Sequence, residues 1–134
     1  MSHHIRQVLQ RSETRHLIVM LATASMALVI VALTLSPSPP TPPSLFSLSD
    51  KAYHAIAFAA LVLPAAVLHT SSLAWVLPSG FALGALIELI QPSIGRSGEV
   101  LDLVANVVGL AAGVALGWIL RSALRKRLIA QSQS

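Results

Sequence analysis

"HLIVMLATASMALVIVALTL", residues 16 to 35, carries no charged side chain after its histidine. At about 1.5 Å per residue its apolar part reaches across a hydrocarbon layer of roughly 30 Å, so the run reads as a transmembrane helix. The rest of the chain belongs to the same solvent. Of 134 residues, 54% are hydrophobic and only 10% charged, whereas about a quarter of the residues of a soluble domain carry charge. Three further runs, Lys51 to Leu68, Leu73 to Gln91 and Leu101 to Leu120, each approach the roughly 20 residues that a span needs. The expectation is an all-α polytopic membrane protein, a bundle of four transmembrane helices.

The first run is longer than the core of a signal peptide, and no small-x-small cleavage site closes it, so we expect it to remain as a span. Orientation follows from the basic residues. Arg6, Arg11 and Arg15 precede span one, and Arg121, Arg125, Lys126 and Arg127 follow span four, while His69 to Ser72 holds no lysine or arginine. Basic residues stay on the cytoplasmic side. Both termini are therefore expected inside, with segments 1–15 and 121–134 as basic cytoplasmic tails of a protein of the bacterial inner membrane. Trp75 and Trp118 then fall at the inner interface, a site tryptophan favours. The net charge of +4 fits attraction to anionic lipid, so membrane lipids are the expected partners, and no arginine-aromatic interleaving points to nucleic acid. With no cysteine, the chain has neither a disulfide framework nor a thiolate metal site.

The connections differ in kind. Residues 36–49, "SPSPPTPPSLFSLS", hold prolines at 37, 39, 40, 42 and 43, which favour an extended polyproline conformation and read as a stiff external strap. "HTSS", residues 69–72, is short enough to make spans two and three an antiparallel hairpin. Pro64 is expected to kink span two, and Pro92 to end span three. Gly95 and Gly98 permit tight turns in the second external loop.

In this topology nearly every ionisable residue outside the tails falls at one depth. Asp50, Lys51 and His54 open span two; Glu88 and Gln91 close span three; Arg96 and Glu99 lie in the loop; Asp102 and Asn106 open span four. Helical spacing places them on single faces. Asp50, His54 and Phe58 recur at four, and so do Gly80, Gly84 and Glu88. Asp102, Asn106, Gly109, Gly113 and Gly117 recur at four, three, four and four. Glycines in such lanes let helices approach closely, so the polar groups should point into the bundle above a packed glycine seam. A charge facing lipid near the bilayer centre costs about 2.5 to 3.5 kcal/mol. Four acids (Asp50, Glu88, Glu99, Asp102) face two bases (Lys51, Arg96). A protonated His54, a protonated Glu88 or a bound cation would each offset the excess.

These motifs, "DKAYH", "ELIQ", "GRSGE" and "DLVANVVGLAAG", make residues 50–120 resemble the core of the VanZ-like family of small bacterial membrane proteins. By that resemblance Asp50, Lys51, His54, Glu88, Gln91, Arg96, Asp102 and Asn106 match the family's polar signature. It also implies a connection with resistance to the glycopeptide teicoplanin. Plainer roles stand beside this for every residue. Asp50 or Asp102 can cap a helix, Lys51 can snorkel, His54 can be a packed polar group, Glu88 one half of a structural ion pair, and Asn106 an interhelical hydrogen bond. Arg96 and Glu99 can be solvated loop charges. No second histidine lies near His54 in this layer, so no metal site and no cofactor are expected.

Three functions fit the layer. The first is a binding or modulating protein for an envelope lipid head group or lipid-linked intermediate. The second is an enzyme acting on such a lipid, with Glu88 or Asp102 and His54 as acid and base. The third is a proton-coupled carrier, which the confinement of polar groups to one depth disfavours. No nucleophile motif or phosphate loop accompanies them.

Overall fold

A computed structural model describes residues 3–36, 49–96 and 98–132 of the chain. It contains four α-helices: α1 (His3–Thr34), α2 (Asp50–Leu68), α3 (Leu73–Ile90) and α4 (Val100–Ser132). Short 3₁₀ turns, Thr70–Ser72 and Gln91–Ile94, join α2 to α3 and follow α3. The proline strap and Ser97 lie outside the described residues. Stretches within or around all four helices are long and apolar enough to cross a membrane: Arg11–Thr34, Asp50–Leu68, Thr70–Ile94 and Val100–Gln131. The chain is thus an all-α membrane protein with four candidate spans. Leu21, Leu28, Leu89, Trp118 and Ile119, each more than half exposed, form an apolar exterior that suits lipid and not water.

The segments expected as tails are helical over their described residues. α1 already runs at His3, and α4 continues unbroken past Arg121 to Ser132. Neither terminal segment contains a glycine or proline, and both are rich in good helix formers, so nothing stops the helix where the apolar run stops. α4 is about 50 Å long, and its exposed Arg125, Lys126 and Arg127 belong to the part exceeding a bilayer core.

α2 is the hub. It packs most closely on α4 and also contacts α1 and α3. Phe58, Leu61, Val62, Ala65 and Ala66 of α2 are buried, together with Val19 and Ile30 of α1, Val76 and Ile87 of α3 and Leu110 of α4. Lipid tails are as apolar as these side chains, so close fit and not water exclusion holds such a bundle together. The α4 glycine seam supplies that fit. A methyl group on Gly109 would strike the Ala55 carbonyl oxygen, one on Gly113 the Val62 side chain, and one on Gly117 the Ala66 side chain. α2 answers glycine with alanine, and the two backbones approach closely.

The α3 glycines serve another purpose. A Cβ on Gly80 would lie 3.1 Å from Leu110 Cδ2, and one on Gly84 2.9 Å from Asn106 Nδ2. They make room for side chains of α4. Pro64 lies within α2 and Pro78 within α3, and both helices run through them. Gly95, at φ +78°, ends the turn after α3 in the left-handed conformation that glycine adopts without strain.

Candidate functional site: a polar cluster at one end of the bundle

The N-terminal turns of α2 and α4 and the C-terminal turn of α3 meet at the same end. α2 is capped by Ser49, whose hydroxyl accepts from the Ala52 N–H at 3.3 Å. Asp50 therefore stands in the first turn with its carboxylate exposed, and the cap expected of it belongs to its neighbour. One turn on, His54 is buried, and its Nδ1–H donates to Asn106 Oδ1 of α4 at 2.9 Å. Glu88 Oε1 of α3 lies 3.9 Å from the same nitrogen. Three helices thus converge on one imidazole.

The loop completes the cluster. Gly98 passes so near the end of α3 that a Cβ would collide with the Glu88 carbonyl oxygen. This approach lets the Glu99 N–H donate to Glu88 Oε2 at 3.0 Å. Lys51 Nζ bridges two acids, donating to Glu99 Oε2 at 2.9 Å and standing 3.3 Å from Asp102 Oδ1. Lys51 and Glu99 are part-exposed, whereas the Asp102 side chain is only 4% exposed. Asp102, in the first turn of α4, is paired with Lys51 of α2.

Gln91 and Arg96 turn elsewhere. Gln91 Nε2 and Arg96 Nη1 donate to the Thr34 carbonyl oxygen at the end of α1, at 3.4 and 3.1 Å. A helix C-terminus carries unpaired carbonyls and partial negative charge, which a guanidinium complements. The polar signature divides accordingly. Asp50, Lys51, His54, Glu88, Asp102 and Asn106 are linked with Glu99 in one cluster, and Gln91 with Arg96 fastens α1 beside it.

Three buried atoms here, Glu88 Oε1, Gln91 Oε1 and Asn106 Nδ2, accept or donate no hydrogen bond among the described residues, and a fourth, Asp102 Oδ1, has only its ion-pair contact with Lys51. Buried polar groups without partners are costly. Their concentration at one end marks a place suited to a ligand with charged and hydrogen-bonding groups. Asp50, His54 and Asp102 also bring one ligand atom each within 4.8 Å of one another. The members of this set besides His54 are carboxylates on α2 and α4, so a set of this kind needs no second histidine nearby.

The opposite end is held by contacts of its own, several of them from histidines and serines that carry no motif. The Ser72 hydroxyl lies 2.9 Å from His69 Nδ1 and 3.2 Å from His16 Nδ1, and Ser12 Oγ lies 3.4 Å from His69 Nε2. The Trp75 ring meets that of His16 in α1 edge-on with centroids 6.3 Å apart. Arg121 Nη1 donates to the Val67 carbonyl at 3.4 Å near the end of α2. These contacts pin α1 and α4 to the hairpin; no spacing within the sequence announces them.

Fold and site together define a helical membrane protein with a polar cluster at one end. Comparison with family models, curated proteins and solved structures gave no significant match.

Proposed function

We propose that this chain is a VanZ-like protein of the bacterial inner membrane, with both termini cytoplasmic, whose outward cluster binds the head group of an envelope lipid or lipid-linked intermediate. The observation that carries the reading is the convergence of α2, α3 and α4 on His54, with Glu88 Oε1, Asp102 Oδ1 and Asn106 Nδ2 buried but without hydrogen-bond partners. Ionisable residues at membrane depth are costly and mark functional positions by default. A head-group amine would donate to Glu88 Oε1 and Asp102 Oδ1, and a sugar hydroxyl would also accept from Asn106 Nδ2. The family resemblance of residues 50–120 and the basic residues flanking the outer spans support the same assignment. Altered susceptibility to teicoplanin-type glycopeptides would follow from changing the lipids that such drugs meet.

A second reading, acid–base chemistry on that lipid, draws on the ring of His54 held between Asn106 and Glu88. Purified full-length protein, analysed by mass spectrometry for co-purifying lipid and then incubated with extracted envelope lipids, tests both. Retained, unchanged lipid supports binding; a new lipid species supports catalysis. If neither occurs, the head-group reading is wrong.

A further inference from the structure

The cluster has more acid than its own bases offset. Asp50, Glu88, Glu99 and Asp102 share the cluster with a single ammonium, that of Lys51, which contacts Glu99 and Asp102, because Arg96 is turned to the Thr34 carbonyl. Most membrane head groups carry phosphate, which four carboxylates repel. A divalent cation removes both difficulties.

The donors for one are present. Asp50, His54 and Asp102 place their ligand atoms within 4.8 Å of one another. Shifts of under about 1 Å would bring all three to about 2.1 Å from a common centre. Two further observations point the same way. His54 Nδ1–H donates to Asn106 Oδ1, which leaves the ring's lone pair on Nε2; a ligating histidine is characteristically held by such a bond from its other nitrogen. Asp102 Oδ1, on a side chain only 4% exposed, accepts no hydrogen bond and faces Lys51 Nζ at 3.3 Å. That amine stands where a cation would, and its part-exposed chain can withdraw toward Glu99, which it already contacts at 2.9 Å. One imidazole and two carboxylates from α2 and α4 leave a coordination position open.

We propose that Asp50, His54 and Asp102 form a divalent transition-metal site, that Lys51 competes with the ion for Asp102, and that the open position takes a phosphate oxygen of the bound head group. Asn106 is a positioning residue for His54. The last part of the proposal rests on the head-group reading; the metal site does not.

The test uses full-length protein in detergent, stripped of metal and titrated with ZnCl₂ alone by calorimetry, with MgCl₂ as the control for non-specific binding to acids. One Zn²⁺ per chain is expected. Asp102→Asn and His54→Gln should abolish the heat, and Asn106→Ala should weaken binding by about tenfold or more. Lys51→Met should tighten it, a gain that misfolding cannot produce. No Zn²⁺ binding by the parent, equal binding by Asp102→Asn in protein with parental circular dichroism, or equal response to Mg²⁺ overturns the metal site. Co-purified lipid should then be released by EDTA. If Zn²⁺ binds but lipid survives EDTA, phosphate bridging is overturned. If Zn²⁺ binds and no lipid is ever retained, the head-group reading falls while the metal site stands.

Discussion

Glu88 shows how one carboxylate can serve structure and site with different oxygens. Oε2 accepts the Glu99 N–H and holds the loop, while Oε1 is buried near His54 without a hydrogen bond. Glu88→Gln keeps a carbonyl oxygen for the loop bond but removes the charge. It should insert and unfold like the parent yet retain much less lipid; undiminished retention by mass spectrometry would remove Glu88 from the site. Arg96 makes the contrasting case. Its bond to the Thr34 carbonyl is a helix-end contact, and hydrogen bonds from charged donors contribute about 1.5 to 3 kcal/mol. Arg96→Ala should therefore lower the unfolding free energy in detergent by an amount of that order, and the midpoint with it, and Ser93→Ala, on the exposed turn nearby, should not. Equal midpoints for the two variants would mean that the contact contributes nothing to holding α1.

At the scale of elements, the α2–α4 seam determines whether the cluster forms at all. Asp102 and Asn106 occupy the lane that continues as Gly109, Gly113 and Gly117, so the polar groups meet α2 only if the backbones below them can touch. Gly113→Ala adds a methyl against Val62 and Ala59; overpacking of this kind costs about 1 to 3 kcal/mol. Ala112→Leu, one position along and exposed, adds more bulk with no partner to strike. Folded yield by size-exclusion chromatography should fall for Gly113→Ala and hold for Ala112→Leu, and equal yields would dissolve the seam argument. The elements themselves were largely legible. Hydropathy located α3 from Leu73 and α4 within a residue of Val100, because Pro92 and the glycine-rich loop interrupt both apolar pattern and helix. Hydropathy could not show α1 and α4 continuing through the basic tails, since helix length depends on propensity and breakers whereas span length depends on the bilayer. The lanes were legible as faces, but which helix each face meets was not: α3 glycines accommodate side chains, and α4 glycines accommodate a backbone.

The whole molecule has two differently built ends, and the question is which end faces out. One end gathers four carboxylates, Lys51 and His54; the other pins α1 to the hairpin through Ser12, His16, His69 and Ser72. Depth alone, read from span order, indicated that Asp50, His54, Glu88, Asp102 and Asn106 share a layer. It could not assign Gln91 and Arg96 to α1, since a carbonyl at a helix end leaves no mark in composition. The sidedness of the layer follows from a separate asymmetry. Arg11 and Arg15 lie at the histidine–serine end, and Arg121 to Arg127 extend beyond it, and the proposed orientation applies the positive-inside rule to them to place that end in the cytoplasm. With the four-span helical model and no native cysteine, single substitutions report position cleanly. Ser93→Cys, exposed on the turn after α3, should react in intact cells with a membrane-impermeant maleimide. Ala130→Cys, exposed near the end of α4, should react only after the cells are opened. The reverse pattern would turn the acid cluster toward the cytoplasm, where it would meet inner-leaflet lipid and not the envelope intermediates that a glycopeptide encounters. Labelling of both from outside would mean that one of the four helices does not cross.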